Sequence, residues 1–235
     1  MQKNYTSSIK NKKRRVKLGD QLNFASKEAY NLLRTNISFA FPDRVGGKVL
    51  GMCSSRPQEG KSTTSINLAY SLADAGYKVL LIDGDMRRPS IFNSLNVEMS
   101  PGLSNILGGN AEEHINHGVL QENLDVITSG DIPPNPSELI GSQKMCDFLT
   151  ECRKKYDYVV LDLPPILSVS DALAVSKYVD GMILVVRHNI VKRREVAETI
   201  RQLDYVNAKI VGFVYNKVET TGIARYYKPE NYYKK

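Results

Sequence analysis

The stretch that decides the fold is KVLGMCSSRPQEGKST, residues 48–63, in which an apolar run passes through a polar loop into a helical segment. The run Lys48–Ser54 predicts a strand, because its apolar residues are continuous and the run is short. The segment Lys61–Ala75 has apolar residues at helical spacing, and Gly76 follows it as a stop signal. A strand, a loop and a helix in this order form a unit of an α/β fold.

The loop in this unit has the residue types of a phosphate cradle. Such a cradle needs backbone N–H groups at a helix N-terminus, a lysine for the β- and γ-phosphate oxygens, and a hydroxyl for magnesium. Gly60, Lys61 and Ser62 supply the close approach, the cation and the metal ligand. Ser55 departs from the pattern G-x-x-x-x-G-K-S/T, whose first position is glycine. The context predicts nucleotide binding, with contacts from Arg56, Pro57, Gln58, Glu59, Gly60, Lys61, Ser62 and Thr63.

Short apolar runs alternate with helical stretches along the rest of the chain. Continuous hydrophobicity in VVLDL and MILVV is typical of strands covered on both faces, as in parallel sheets. The alternation predicts a single α/β domain with a doubly wound, mostly parallel sheet of the P-loop NTPase type. The further predicted strands are Lys78–Asp83, Asp125–Thr128, Tyr158–Asp162, Met182–Val186 and Lys209–Tyr215. The further predicted helices are Ser26–Ala40, Ser142–Lys155, Asp171–Tyr178 and Lys192–Leu203.

Acidic residues follow two of the predicted strands. Asp83 and Asp85 come at the end of VLLIDGD, and Asp162 ends VVLD. Ligands of open parallel sheets bind beyond the carboxyl ends of the strands, so we expect these three acids to converge on the phosphates. Carboxylates in that place hold magnesium and its waters or accept a proton from a nucleophile.

The net charge of +7 lies at one end of the 235-residue chain. Residues 1–17 carry seven basic and no acidic residues, which leaves 25 basic against 25 acidic residues in the remainder. Because the chain after residue 17 has no net charge, a nucleic-acid partner is not expected. The basic segment is either a flexible solubilising arm or a contact for anionic lipid. No apolar run approaches the roughly 20 residues that span a bilayer, so we expect a cytoplasmic protein.

The last ten residues, YYKPENYYKK, hold four of the thirteen tyrosines and no apolar period that would bury them. Tyrosines displayed in this way are better explained as modification sites than as core residues. The candidate modification sites are Tyr226, Tyr227, Tyr232 and Tyr233. The expected organisation is a basic flexible arm over 1–23, a P-loop domain over 24–217 and a flexible tyrosine-rich tail over 218–235.

Taken together, these motifs resemble the bacterial tyrosine kinases of the capsule and exopolysaccharide systems, which have a P-loop ATPase fold. SSRPQEGKST matches the Walker A loop, LLIDGDMRRP the A′ segment and VVLDLPP the Walker B strand. The stretches PGLS at 101–104 and GDIPPNPSEL at 130–139 match as well, as does the tyrosine tail. The resemblance runs from about Phe24 to the C-terminus.

The resemblance implies a role for each matched residue, with ATP and Mg²⁺ as cofactors. Lys61 would stabilise charge on the β- and γ-phosphates, and Ser62 would bind magnesium. Asp83 would accept the tyrosine proton, while Asp85 and Asp162 would organise the metal ion. Further implied roles are adenine binding for Asn216 and, for Arg87 and Arg88, either contact with phosphate or with an acidic tail, or no role beyond a surface position.

The resemblance also implies partners. Family kinases of this short form are activated by a separate transmembrane adaptor of the polysaccharide co-polymerase type, which would recruit the chain to the inner face of the cell membrane. Their tail tyrosines are phosphorylated in trans within a ring of subunits, and a cognate tyrosine phosphatase would reverse the modification. The element E-x-x-R-x-x-R used for subunit contacts reads Glu28, Asn31 and Arg34 here, with an amide in place of the first arginine. Because an amide lacks the two-pronged ionic contact of guanidinium, we expect a weak or adaptor-dependent ring.

Two other classes of function share parts of this pattern. A partitioning or cell-division ATPase would turn over ATP without a protein acceptor, but it would have a second lysine where Arg56 stands. It would often end in an amphipathic membrane helix, whereas residues 222–235 contain a proline and no apolar stripe. A non-catalytic assembly partner would tolerate loss of Lys61 or of the aspartates, all of which are present. The kinase hypothesis is therefore preferred.

Overall fold

Among the residues that the structure, a computed structural model, describes (17–42, 46–110 and 114–218), six strands form one parallel sheet. The strand order is β3-β2-β4-β1-β5-β6. The strands are β1 Lys48–Ser54, β2 Val79–Asp83, β3 Leu124–Ile127, β4 Tyr158–Asp162, β5 Gly181–Arg187 and β6 Ile210–Asn216. The predicted single α/β domain with a parallel P-loop sheet is confirmed, and each predicted strand is present to within two residues.

Eight α-helices connect or flank these strands in the described residues. They are α1 Phe24–Ala40, α2 Lys61–Asp74, α3 Ile91–Leu95, α4 Leu103–Gly108, α5 Pro136–Ile140, α6 Gln143–Lys155, α7 Asp171–Val175 and α8 Arg193–Tyr205. Short 3₁₀ turns cover Gly19–Gln21 and Ser176–Tyr178, so the single helix predicted over 171–178 is α7 followed by a 3₁₀ turn. The sequence did not predict α3, α4 and α5, because five or six residues are too few to display a helical period.

The two faces of the sheet carry separate apolar cores, which is why its strands read as continuous hydrophobic runs. In β1, Val49 and Cys53 point into the core shared with α6 and α7, while Leu50 and Met52 point into the core under α1 and α2. All four side chains are fully buried. Each large apolar side chain removed from water contributes about 1.5–3 kcal/mol, so the central strands are held firmly on both sides.

The residues just before α1 pack on the domain, although the sequence assigned them to the flexible arm. Leu18 is buried against the core under α1 and α2. The Gly19 N–H donates to Asn67 Oδ1 of α2 at 2.9 Å, and the Tyr70 hydroxyl donates to Asp20 Oδ1 at 2.7 Å. Residues 18–20 of the arm predicted over 1–23 are therefore fixed on the domain, because an apolar residue and two polar contacts hold them there.

Some predicted features fall outside the described residues. These are residues 1–16 of the basic arm and the four predicted acceptors Tyr226, Tyr227, Tyr232 and Tyr233. Within the described ranges, no helix has the length and hydropathy needed to cross a membrane.

Candidate active site

A cleft of about 700 Å³ opens at the carboxyl edge of the sheet, beyond β1, β2 and β4. One wall is the loop between β1 and α2, and the other is formed by the segments that follow β2 and β4. The lining residues are Ser54, Pro57–Thr63, Asp85, Arg87, Arg88, Ser90, Ser94, Pro164, Pro165, Ser168 and Val169. This is the position in which open α/β sheets bind ligands.

Lys61, the first residue of α2, carries the positive charge of the cleft. Its side chain is only 7% exposed, and Nζ lies 2.7 Å from Asp162 Oδ2 and 3.4 Å from Ser62 Oγ. Asp162 is fully buried, and its Oδ1 accepts a hydrogen bond from Ser65 Oγ at 2.7 Å. The strand end β4 and the helix start α2 are thus joined by one buried ion pair.

Magnesium fits the oxygen atoms at this place. Among the described residues, Asp162 Oδ2 is a buried oxygen without a hydrogen-bond donor, since its contact with Lys61 has the distance of an ion pair but not the direction of a hydrogen bond. The Ser62 hydroxyl and the half-buried Asp85 carboxylate lie in the same cleft. In the described ranges no three His, Cys, Asp or Glu side chains form a complete metal site. A small number of protein ligands is enough for magnesium, because the ion binds waters and substrate phosphates besides one or two carboxylates.

Asp83 lies directly opposite Asp162 in the β2–β4 register and is fully buried, behind the residues that line the cleft. Its Oδ2 accepts the N–H groups of Ser90 and Ile91, each at 3.1 Å, and its Oδ1 accepts that of Asp85 at 3.2 Å. Burial and then the charge of Asp162 raise the pKa of Asp83 to about 7. Asp83 therefore anchors the start of α3 from a buried position beside Asp162.

Asp85 is the carboxylate of the A′ segment that lines the cleft. Its Oδ1 accepts the Arg88 N–H at 3.1 Å. Burial raises the pKa of Asp85, and the nearby Lys61 charge opposes this effect. The three acids predicted from strand ends are thus grouped around Lys61, which acts electrostatically on both Asp83 and Asp85.

Glu59 shapes the phosphate loop from within. Its side chain is buried; Oε1 accepts the Arg56 N–H at 2.6 Å and Oε2 accepts the Arg187 N–H at 3.1 Å. Burial raises the pKa of Glu59, and these N–H donors lower it. The guanidinium of Arg56 pairs with Glu195 of α8 at 2.5 Å, and the predicted nucleotide contact of Arg56 stays a prediction. The loop is consequently tied to β5 and α8 by side chains that a local motif does not reveal.

Two left-handed residues give the loop its sharp course. Gln58 has φ +66° and Gly60 has φ +87°. A Cβ atom at Gly60 would stand 2.2 Å from Asn216 Nδ2, so only glycine fits there. Asn216 Nδ2 donates to the Glu59 carbonyl oxygen at 2.9 Å. Asn216 thus contacts the phosphate loop, and its predicted adenine contact stays a prediction.

Of the predicted site residues, Pro57–Thr63 and Asp85 line the cleft, whereas Arg56, Asp83, Asp162 and Asn216 stand behind this lining and support it. Sequence reasoning missed Asp171, the buried partner of Arg87, and Arg187, whose N–H donates to Glu59. Arg187 could have been found from the sequence, because it is a charged residue at the end of a buried strand. For Asp171 no local signal exists, because its partner is 84 positions away in the chain.

The adjacent Arg87 and Arg88 are used differently. Arg87 Nε and Nη2 donate to the two carboxylate oxygens of Asp171 at 2.9 and 3.1 Å, and Nη2 also donates to Ser137 Oγ at 3.0 Å. Asp171, the first residue of α7, is buried. In the described part of the chain, the Arg88 guanidinium has no carboxylate at ion-pair distance. Arg87 therefore holds the A′ segment against α5 and α7 (the Arg87–Asp171 latch), while the side chain of Arg88 lines the cleft without such a contact.

Comparisons with known proteins agree with the fold. The family model described as "AAA domain" matches residues 47–211. The tyrosine-protein kinase YwqD of Bacillus subtilis is 39% identical over 190 residues, which cover 80% of each protein. The tyrosine-protein kinase CpsD of Streptococcus pneumoniae serotype 4 is 39% identical over 200 residues, covering 83% of this chain and 85% of that protein.

Solved structures give the same result. The kinase domain of the Escherichia coli tyrosine kinase ETK superposes with a TM-score of 0.76 at 35% identity, covering 83% of this chain and 78% of that one. More distant structures share the fold. The cell division ATPase MinD of Pyrococcus furiosus has a TM-score of 0.61 at 25% identity, covering 72% and 71%. A cobyrinic acid a,c-diamide synthase of Mycobacterium smegmatis, with bound ATP analogue and magnesium, has a TM-score of 0.63 at 17% identity, covering 75% of each chain.

Proposed function

Because the chain belongs to the bacterial tyrosine-protein kinases within the AAA-domain P-loop proteins, we propose that it transfers phosphate from ATP to C-terminal tyrosines of a neighbouring copy. The chain is a tyrosine-protein kinase with an ATP-binding P-loop fold, and the acceptors and the trans arrangement are the proposal. The observation that carries it is the buried Lys61–Asp162 pair beside Asp85, in a cleft with a second wall beyond the phosphate loop.

Each residue of the cleft has a role in the proposed transfer. Lys61 neutralises charge on the β- and γ-phosphates, and the helix α2 start behind it attracts the same anion. Ser62, Asp85 and Asp162 would hold Mg²⁺, which supplies charge neutralisation on the phosphate oxygens when bound. The tyrosine oxygen bonds to the γ-phosphorus as the bond to the β,γ-bridging oxygen breaks, and ADP leaves.

The phenolic proton needs a carboxylate that is basic near neutral pH. Asp83 has a raised pKa of about 7, which suits a general base. Asp83 stays the proposed acceptor of the proton, and in this structure it is buried directly behind the cleft lining. Asp85 already faces the cleft and is occupied with magnesium in the same proposal.

The wider biological setting is also proposed from the family resemblance. We assign the chain to the regulation of capsule or exopolysaccharide synthesis, with a transmembrane adaptor that brings it to the inner face of the cell membrane and a cognate tyrosine phosphatase. The proposed organisation is a basic arm within 1–23, whose residues 18–20 pack on the domain, a kinase domain over 24–217 and a tyrosine tail over 218–235. The kinase relatives at 39% identity favour this function over a partitioning ATPase, whose fold is shared at 25% identity.

A ring of subunits is supported by the outer face of α1. The apolar residues Ala25, Leu32 and Phe39 recur at seven-residue steps on exposed helix surface, and the latter two are 59% and 78% exposed. On the same helix, Arg34 Nη1 donates to the Ser71 carbonyl oxygen of α2 at 2.6 Å, and Asn31 donates to Glu28 at 3.0 Å. These polar groups are used within the subunit, so the proposed contact between copies is mainly apolar and weak. A stable high-order oligomer of the isolated chain in sizing experiments would contradict this.

One experiment tests the function directly. The pure chain is incubated with magnesium and labelled ATP, with and without a candidate adaptor peptide, and phosphotyrosine is mapped by mass spectrometry. We expect label on Tyr226, Tyr227, Tyr232 and Tyr233, and loss of most label when all four are changed to Phe while ATP binding persists. Label that remains on upstream tyrosines of the four-Phe variant would reject the tail as the acceptor.

A further inference from the structure

We propose that Arg88 recognises an acidic group next to the tyrosine being phosphorylated, and that a phosphotyrosine already present in the tail is the strongest such group. This inference rests on the proposed function, since it names the peptide chemistry that the same cleft accepts. The inference is based on the different contacts that the side chains of Arg87 and Arg88 make.

Arg87 is committed to the fold. Both oxygens of the buried Asp171 accept from its guanidinium, and Ser137 shares the same carboxylate. Asp171 would be left as a buried, uncompensated charge if Arg87 turned into the cleft. Arg87 is therefore unavailable to a peptide.

Arg88 has the opposite arrangement. Its backbone is fixed, because its N–H donates to Asp85 Oδ1 at 3.1 Å, and its exposed side chain lines the cleft. Within the described residues no carboxylate pairs with its guanidinium. A guanidinium binds a phosphate through two parallel N–H donors, which makes it a better partner for phosphotyrosine than a lysine would be.

The shape of the cleft places Arg88 on the acceptor side. The phosphate loop forms one wall, so the triphosphate lies against Lys61. The opposite wall is apolar where the half-buried Pro165 and Val169 lie, and a tyrosyl ring packs well on such a surface. Arg88 and Ser94 line the same cleft beyond β2, so we expect a group next to the tyrosine in the peptide to meet the guanidinium.

The tail sequence supplies the matching chemistry. Its acceptors form two adjacent pairs, Tyr226-Tyr227 and Tyr232-Tyr233, and Glu230 is the one acidic residue of the last ten. A phosphate adds about −1.5 to −2 charges at neutral pH. Modification of one tyrosine in a pair therefore turns its neighbour into a better substrate, and doubly modified pairs accumulate early.

The test uses the full chain with Tyr226, Tyr227, Tyr232 and Tyr233 changed to Phe, so that added peptide is the tail acceptor. Two peptides of residues 222–235 are compared, one unmodified and one phosphorylated at Tyr227 and Tyr233. The value of kcat/KM is measured for each with magnesium and ATP. The same pair is run with Arg88→Gln and with Lys144→Gln, which removes an equal charge from the exposed surface of α6.

We expect the phosphorylated peptide to be preferred by about fivefold, the factor that one partly exposed ion pair supplies. Arg88→Gln should bring the ratio of the two kcat/KM values to about one, while Lys144→Gln keeps the preference. Equal use of both peptides by the parent, or a preference that survives Arg88→Gln, would overturn the inference and leave the kinase function standing. If neither peptide were phosphorylated by any variant, the proposed function and the inference would both fail.

Discussion

The phosphate loop 54–63 and the A′ segment 84–91 both follow buried strands at the same edge of the sheet, but they are held very differently. The phosphate loop is tied by Glu59 to backbone N–H groups at Arg56 and Arg187, and by Asn216 to the end of β6. The A′ segment is held from behind, by Asp83 at the start of α3 and by the Arg87–Asp171 latch. Arg87 also lines the cleft but is held by Asp171, whereas the side chains of Asp85 and Arg88 form no ion pair among the described residues.

The difference corresponds to what each region binds. A triphosphate always has the same shape, so a loop that is ordered in advance binds it without a further loss of conformational freedom. A tyrosine in a peptide arrives with variable neighbours, and a segment anchored on one side can adjust to it. Substitutions in the two regions should therefore have different effects.

Removing the cation of the rigid region should abolish the reaction. Lys61→Met takes away the charge that faces the phosphates, so we expect the rate of tail phosphorylation to fall about 10²-fold or more. The buried Asp162 also loses its partner, and melting by circular dichroism should therefore be recorded alongside. Normal phosphotyrosine formation in a folded Lys61→Met protein would show that the site is assigned wrongly.

Loosening the latch should affect turnover more than nucleotide binding. Asp171→Asn removes the negative charge under Arg87, and we expect kcat to fall about tenfold with little change in KM for ATP, because the phosphate loop is braced separately. Stability should fall by about 1–2 kcal/mol. Ser137→Ala is the matched control, since it removes a neutral donor from the same carboxylate and leaves the ion pair. An increase in KM for ATP alone would contradict the separation of the two regions.

The buried acid of the A′ segment should make stability depend on pH. The pKa of Asp83 is raised to about 7, so between its ordinary value near 3.8 and about 7 the folded state binds more protons than the unfolded state. Stability from this group is complete at low pH and is lost as the pH rises through about 7. Asp83→Asn removes this titration. The free energy of unfolding of the variant minus that of the parent should therefore increase between pH 5 and pH 8, by on the order of 1 kcal/mol or more. A constant difference in thermal melting across these pH values would refute the raised pKa.

Relieving strain in the phosphate loop should have the smallest effect. Gln58 adopts φ +66°, where a side chain is strained, so Gln58→Gly should raise the free energy of unfolding by up to about 1 kcal/mol. Gly60→Ala is the counterpart: its new Cβ would collide with Asn216 Nδ2 and lower stability. Urea denaturation measures both changes. If both substitutions changed the free energy of unfolding in the same direction, the local backbone conformation would not explain the two changes.

The sequence predicted the parallel sheet and the grouping of acids at one edge because both follow from local patterns. Buried strands are continuous apolar runs, and Asp83 and Asp162 end two of them. The supports of the site could not be predicted, since Arg87 finds Asp171 and Arg56 finds Glu195 only when distant segments meet. The short helices that carry some of these contacts are below the length at which periodicity is visible.

Strand β6 brings the last described residues to the phosphate loop. The strand ends at Asn216, whose amide contacts this loop, so residues 217–218 follow at the nucleotide edge. Tyr226 comes nine positions after Lys217 in the sequence, and a fully extended chain of that length reaches at most about 30 Å. A short flexible linker between two reacting groups in general gives an effective concentration on the order of millimolar. Intermolecular transfer must therefore compete with a unimolecular route, and dilution separates them, because only the bimolecular rate falls with protein concentration.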